Sequence, residues 1–325
     1  MNETVKSRVI GVDISIERTS YAIVDVRGNI IARDGFNTQL YPNVSDYVGT
    51  LCEKVVTLAE ENGGYEHIRS MGIGSPSANY VSGCIENSPN LKWKGVVPIA
   101  AMMRDRMGIA VALGNDAHLA GLGEHAFGCA HGMNNFILVT LGYGIGSCIF
   151  SNGEVHIGAN GFAGEIGHTC VVYGGRTCAC GKKGCLEAYC GAMGIVRTAQ
   201  EMMADSDEPS LMRNVERLTP KVITECCEQG DEMAIEVYRK TGQILGMSMA
   251  GYAAVLDPEA IVFTGGVSQA GHWLLEPAND TFEKYVFHNT RNRVKFLLSA
   301  LENHERDVLG ASALAWGIKE YSLFK

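Results

Sequence analysis

The sequence predicts an α/β protein made of two similarly built domains around a cleft. Three observations lead there. A strand–turn–strand pattern at the start of the chain restarts after Gly128. Helical patterns alternate with short apolar strands behind each copy. The chain, at 325 residues with 46% apolar side chains, is long enough to bury two cores.

In the first copy, residues 9–14, 21–26 and 30–36 read as strands of an antiparallel meander, with Arg27-Gly28-Asn29 as a hairpin turn. Residues 44–61 carry Val48, Leu51, Val55 and Leu58 at helical spacing, and Asn62-Gly63-Gly64 stops that helix. A strand at 68–73 runs into Gly74-Ser75-Pro76. Residues 98–107 then read as a helix, and 109–113 as a strand that delivers Asn115-Asp116 to the head of another helix. This defines a first domain over residues 1–127.

In the second copy, strands are expected at 136–141 and 147–150, helices at 186–204 and 231–255, and a strand at 260–264 that ends in Gly265-Gly266. The run 245–256 is apolar, but Gly246, Ser248 and Gly251 interrupt it and it is too short to span a bilayer, so it reads as buried helix. The second domain covers 128–305. A last helix, 308–319 within the segment 306–325, is expected to pack back on the first domain.

The net charge of -9 argues against a nucleic-acid surface, which needs clustered Lys and Arg. A phosphate site in so acidic a chain must be built locally, from backbone N–H groups and a metal ion. Residues 1–8 are polar and lead straight into the first strand, so no signal peptide or membrane anchor is expected. Eleven cysteines, an odd number in a long chain, fit a reducing cytoplasm better than a disulfide framework.

Cys178, Cys180 and Cys185 crowd together behind His168 in the spacing H-x9-C-x-C-x4-C, and Gly181 and Gly184 allow the tight turns of a chelate loop. One imidazole and three thiolates match a closed tetrahedral zinc site. Buried free thiols seldom cluster with glycines at ligand spacing, and the C-x-C pair lacks the geometry of a redox C-x-x-C. A closed site leaves no position for water, so the zinc is expected to order the loop rather than act as a Lewis acid. Glu165 and Glu187 flank the ligand segment. Carboxylates held on an ordered loop suit recognition of vicinal hydroxyls, although each one taken singly also reads as a solvated side chain.

These residues resemble the ROK family of sugar kinases and related repressors, and among them the bacterial glucokinases. The resemblance rests on Gly161-Phe162-Ala163-Gly164-Glu165-Ile166-Gly167-His168, on the run from Cys178 to Glu187, and on Asn115-Asp116 in register upstream. Weaker likeness extends through Pro89-Asn90-Leu91, Asp257-Pro258-Glu259 with Gly265-Gly266, and Leu309-Gly310-Ala311-Ser312. It implies an actin-like, ribonuclease-H-like fold with a zinc-binding insertion, and phosphorylation of a hexose, glucose first among candidates, at its 6-hydroxyl by Mg2+-ATP. It further implies that Asp116 is the catalytic base and that Asn90, Asn115, Asp116, Glu165, His168 and Glu187 contact the sugar. The nucleotide would meet Asp13, Arg18, Gly142, Tyr143, Gly144, Gly265 and Gly266, in a cytoplasmic homodimer or homotetramer. Read from the residues alone, Asp116 suits a base at a strand's C-terminal end, and equally a helix N-cap.

Two loops depart from that pattern. The family's first phosphate loop reads Asp, any residue, Gly-Gly-Thr; here Asp13 is followed by Ile14-Ser15-Ile16-Glu17-Arg18-Thr19. Ile16 disfavours the left-handed backbone that glycine would adopt, and Glu17 opposes a triphosphate by about 1 kcal/mol at about 4 Å in water. Arg18 is the residue available to compensate by turning inward. In the second loop, Tyr143 stands where the family has a small threonine. A non-catalytic sugar-binding sensor is therefore the alternative to a kinase. The repressor branch is disfavoured, since the first strand begins within about ten residues and leaves no room for a helix-turn-helix.

Overall fold

The computed structural model describes residues 5–88, 91–301 and 303–318. Asn90, one of the expected sugar contacts, lies outside them, as does Lys319 at the end of the expected last helix. The chain divides into two compact units. One comprises the described residues of Met1–Gly132, Ile157–Ala163 and Ala300–Lys325, and the other Met133–His156 and Gly164–Ser299.

The first unit opens with the expected meander, β1 (Arg8–Ile14), β2 (Arg18–Asp25) and β3 (Ile30–Asn37). Helix α1 (Val44–Glu61) follows, started by Asn43, whose side chain accepts from Ser45 N–H at 2.7 Å. Then come β4 (Ile68–Gly74), a small sheet of β5 (Ala78–Asn79), β6 (Cys84–Glu86) and β7 (Val96–Val97), helix α2 (Ile99–Met107), β8 (Ala110–Gly114) and α3 (Asp116–Phe127). The main sheet has the order β3-β2-β1-β4-β8, antiparallel through the meander and parallel from β1 to β8. Its core joins Ile10, Val12 and Ile14 to Val48, Leu51 and Val55 of α1, three residues on the helical spacing read from the sequence.

The second unit repeats this plan. Strands β9 (Phe136–Leu141), β10 (Ile145–Ser151) and β11 (Glu154–Val155) form the meander, and helices α4 (Glu187–Cys190), α5 (Ala192–Asp205), α6 (Pro220–Glu228) and α7 (Glu232–Leu256) follow. Strand β12 (Ala260–Thr264), helix α8 (His272–Tyr285) and β13 (Lys295–Leu298) complete it, in the sheet order β11-β10-β9-β12-β13. Leu245 and Met249 of α7 and Phe282 of α8 bury against Ile137, Val139, Ile261 and Phe263. Among the described residues no helix is long and apolar enough to cross a membrane.

One expected helix is corrected. Residues 186–204 form two helices, α4 and α5, because Gly191 between them is extended (φ -73, ψ 164). A Cβ at Gly191 would lie 2.8 Å from Glu187 O and 3.0 Å from Tyr143 O, so the break lets the β9–β10 turn reach the helix pair.

The C-terminal helix α9 (Asn303–Trp316) belongs to the first unit, where it lies against β1, β4 and α3. Val308, Leu309 and Ala315 bury with Val9, Ala22 and Val24, on the sheet face away from α1. The approach needs glycine: a Cβ at Gly72 of β4 would sit 1.9 Å from Ala311 O.

Candidate active site and metal cluster

In the second unit, His168 ends a short 3-10 turn (Ile166–His168), and Cys178 and Cys180 lie on a loop whose neck is the backbone bridge Thr177↔Lys183. Cys178 N–H donates to Lys182 O at 2.9 Å, and Gly181, at φ +87, donates to Cys178 O at 3.0 Å. Cys185 then enters α4. The four ligand atoms of His168, Cys178, Cys180 and Cys185 lie within 4.8 Å of one another. Cys178 Sγ is 3.7 Å from His168 Nδ1, and Cys180 Sγ is 3.7 Å from Cys185 Sγ. A tetrahedral ion with Zn–S bonds of about 2.3 Å sets ligand–ligand edges of about 3.8 Å. Donor chemistry and spacing thus both fit a metal ion of zinc type. Lys182 Nζ donates to His168 O at 3.1 Å and brings a positive charge beside the thiols.

Glu187, the first residue of α4, ties this cluster to the turn between β9 and β10. Its Oε2 accepts from Ile145 N–H at 2.9 Å, while its Oε1 lies 3.7 Å from Cys178 Sγ. Glu165 is exposed and caps no backbone group. The turn itself is Gly142-Tyr143-Gly144, closed by Gly142 N–H to Gly144 O at 3.0 Å and anchored by Ala192 N–H to Gly142 O at 2.9 Å. Tyr143 is 84% exposed, so its ring stands clear of the turn rather than filling it. Because β12 runs parallel to β9 with Thr264 opposite Thr140, Gly265 (φ +94) and Gly266 emerge beside this turn. The glycines expected at the nucleotide are therefore together, at the carboxyl ends of neighbouring parallel strands.

In the first unit, the altered loop is a tight hairpin with no left-handed residue between Ser15 and Thr19. Ser15 N–H donates to Arg18 O at 3.0 Å, and the carbonyls of Ile16 and Glu17 accept from Gln39 Nε2 and Thr38 N–H. Arg18 does not turn inward; its guanidinium lies over Gly35 of β3. Thr19 is fully buried and shares hydrogen bonds with the hydroxyls of Thr38 and Tyr47 at 2.9 and 2.8 Å.

Asp13 lies between the buried Val12 and Ile14 of β1 and accepts from Ser15 Oγ at 2.7 Å. Burial pushes its carboxyl up to about 7, and nearby Asp307 and Asp116 add to the rise against the Ser15 bond and Arg306. Asn115 is the N-cap of α3, its side chain accepting from Ala117 N–H at 2.9 Å. Asp116 Oδ1 shares that same donor at 2.8 Å, which leaves Oδ2 without a hydrogen bond among the described residues. Asp116 reaches solvent at the helix end, yet protein crowds its carboxyl; this burial first, then Asp307, holds its pKa above the usual carboxylate range. The Ala117 N–H, Arg306 and His118 oppose the rise. Arg306 and Asp307, paired at 2.7 Å on α9, are absent from the sequence-predicted site, because no motif ties the last helix to the residues of β1 and α3.

A meander continued by parallel βα units, built twice in the same strand order, is the actin-like, ribonuclease-H-like architecture of sugar kinases and their relatives. The chain belongs to the ROK family, whose model matches residues 9–318. It is 31% identical over 321 residues to the glucokinase of Halalkalibacterium halodurans, covering 96% of this chain and 94% of that one. It is also 25% identical over 312 residues to the xylose repressor of Caldicellulosiruptor bescii, covering 94% and 77%. Among solved structures it resembles the ROK family glucokinase from Streptomyces griseus in complex with glucose and AMPPNP, with a TM-score of 0.75 and 29% identity over 95% of this chain and 99% of that one.

Proposed function

We propose that this chain transfers the γ-phosphoryl group of ATP to the 6-hydroxyl of a hexose, glucose first among candidates, with Asp116 as general base. The observation that carries the reading is the division of labour at the head of α3. Asn115 caps the helix, so Asp116 keeps an Oδ2 with no hydrogen bond among the described residues, on a carboxyl whose proton affinity is raised by burial, in keeping with a role as proton acceptor.

In this reading Asp116 accepts the proton of the attacking hydroxyl as the new O–P bond forms and ADP departs. Asn90, Asn115, Glu165, His168 and Glu187 hold the sugar hydroxyls, while Asp13 and the glycines at 142, 144, 265 and 266 serve the nucleotide. Magnesium carried with ATP supplies charge neutralisation, and zinc on His168, Cys178, Cys180 and Cys185 supplies loop order. The protein's own contribution is positioning and electrostatics, since phosphoryl transfer asks for little covalent work.

A second reading, a sugar-binding sensor, is favoured by the first-unit hairpin. Its threonine is committed to the core, its arginine points to β3, and Glu17 is exposed at the tip. Similarity to both glucokinases and a repressor supports keeping it. Sugar-dependent ADP release by zinc-loaded protein, across glucose, mannose, fructose, allose, N-acetylglucosamine and N-acetylmannosamine, separates the two. Turnover that is lost in Asp116→Asn supports the kinase; sugar binding with no turnover on any of them refutes it in favour of the sensor.

A further inference from the structure

Cys170 lies outside the four-residue metal cluster, yet it is paired across two backbone segments with one of its members. Cys170 and Cys185 form an antiparallel bridge. The flanking hydrogen bonds run from Leu186 N–H to Thr169 O at 3.0 Å and from Val171 N–H to Gly184 O at 2.8 Å. Neither cysteine's own backbone joins that exchange, so the two occupy a non-hydrogen-bonded position. There the Cα atoms approach to about 4.5 Å and both side chains leave the same face. A disulfide asks for Cα atoms about 4.4–6.8 Å apart. The backbone already satisfies this.

The two thiols differ in surroundings. Cys170 is exposed to solvent, whereas Cys185 is 1% exposed, with its Sγ turned to Cys180 Sγ. Room for Cys170 comes from Gly184, where a Cβ would lie 3.1 Å from Cys170 Sγ. One Cys185 sulfur cannot serve both partners: to meet Cys170 it must rotate away from the cluster and leave His168, Cys178 and Cys180 as an incomplete ligand set.

We infer that Cys170 is the redox partner of the ligand Cys185, and that a hydroperoxide joins them in a disulfide that expels the metal. The Cys170 sulfur attacks the peroxide oxygen, breaking the O–O bond to give a sulfenic acid and an alcohol, or water when the oxidant is hydrogen peroxide. The Cys185 thiolate then attacks the sulfenic sulfur; the S–S bond forms and hydroxide leaves to take a proton. Overall, two thiols and one peroxide become one disulfide, one water and the reduced peroxide. A dithiol reverses the step and restores the fourth ligand. Since Glu187 touches both Cys178 and the β9–β10 turn, loss of metal also loosens that turn.

The inference rests on the zinc reading of the cluster, and its test keeps the two apart. Zinc-loaded protein is treated with hydrogen peroxide while a chromogenic chelator records released zinc, and the products are digested without reduction for disulfide mapping. The expected result is zinc release together with a peptide linked through Cys170 and Cys185, both reversed by dithiothreitol. Cys170→Ser, at an exposed position, should fold and bind zinc normally yet lose the linked peptide and resist release. Release at equal rates from wild type and Cys170→Ser, or a link confined to Cys178, Cys180 and Cys185, overturns the inference. Protein that binds no zinc when fully reduced refutes the metal reading alone; the Cys170–Cys185 link is then sought in the same peroxide digest, and its absence refutes the pairing too.

Discussion

Replacing Asp13 by asparagine tests whether the polar end of β1 is held at a cost to stability. Its carboxyl is raised from the ordinary 3.8 to about 7, first by burial and then by Asp307 and Asp116. Between those values the folded protein holds a proton that the unfolded chain has released, so stability falls as pH rises through this window. Below about pH 4 both states are protonated and the effect vanishes. Above about pH 7 both are ionised and the whole penalty is felt. A shift of about three powers of ten in proton affinity corresponds to at most about 4 kcal/mol, less what is screened by water reaching the half-buried side chain. Asp13→Asn removes the charge and keeps an oxygen for Ser15 Oγ. Urea or thermal unfolding from about pH 5 to about pH 8 should show the variant gaining stability over wild type as pH rises, with kinase activity falling. Parallel pH profiles for the two proteins would refute the argument, because they would mean that Asp13 is ionised without penalty.

Asp116→Asn should abolish phosphorylation while sugar affinity, read by calorimetry, stays close to wild type; retained turnover would reduce Asp116 to a helix-end residue. Cys180→Ser should lose zinc by metal analysis and bind sugar more weakly, since Glu187 sits against Cys178 of the same cluster. Full affinity in the zinc-free variant would separate metal from sugar site. Gly72→Ala places a Cβ against Ala311 O and should destabilise the first unit by about 1–3 kcal/mol in denaturant titration. Unchanged stability would mean that α9 is not closely seated.

Much of the fold could be read from the residues, for identifiable reasons. Helix α1 has strong 3.6-residue periodicity and a glycine stop, and β9 and β12 are largely apolar runs between turns, so their limits match the expectation. That His168, Cys178, Cys180 and Cys185 come together was legible because ligand type, spacing and loop glycines all agree on one chemistry. Other features had no local signal. Helix α8 contains Pro277, which reads as a break, and β5 and β7 are two residues long. The interruption at Gly191 answers to the backbone of Tyr143, distant in sequence. The orientation of Arg18 toward β3 and the burial of Thr19 depend on tertiary neighbours that no motif encodes. Asp307 carries no local signal either, because its influence on Asp13 and Asp116 arises only when the last helix meets the first strand.

That meeting has a consequence for synthesis. The face of β1 and β2 formed by Val9, Ala22 and Val24 is covered by Val308, Leu309 and Ala315, which the ribosome makes long after the strands they cover. At about 5–20 residues per second, a nascent chain waits about 15–60 s between completing β1 and receiving α9. Throughout that interval an apolar sheet face stands open, while the second unit, encoded between, gains its strands one by one and receives β13 only just before α9. The order of emergence therefore makes the first unit the later of the two to close. Ribosome-stalled chains ending before Asn303 should stay protease-sensitive across β1 to β4, and acquire resistance once α9 is released.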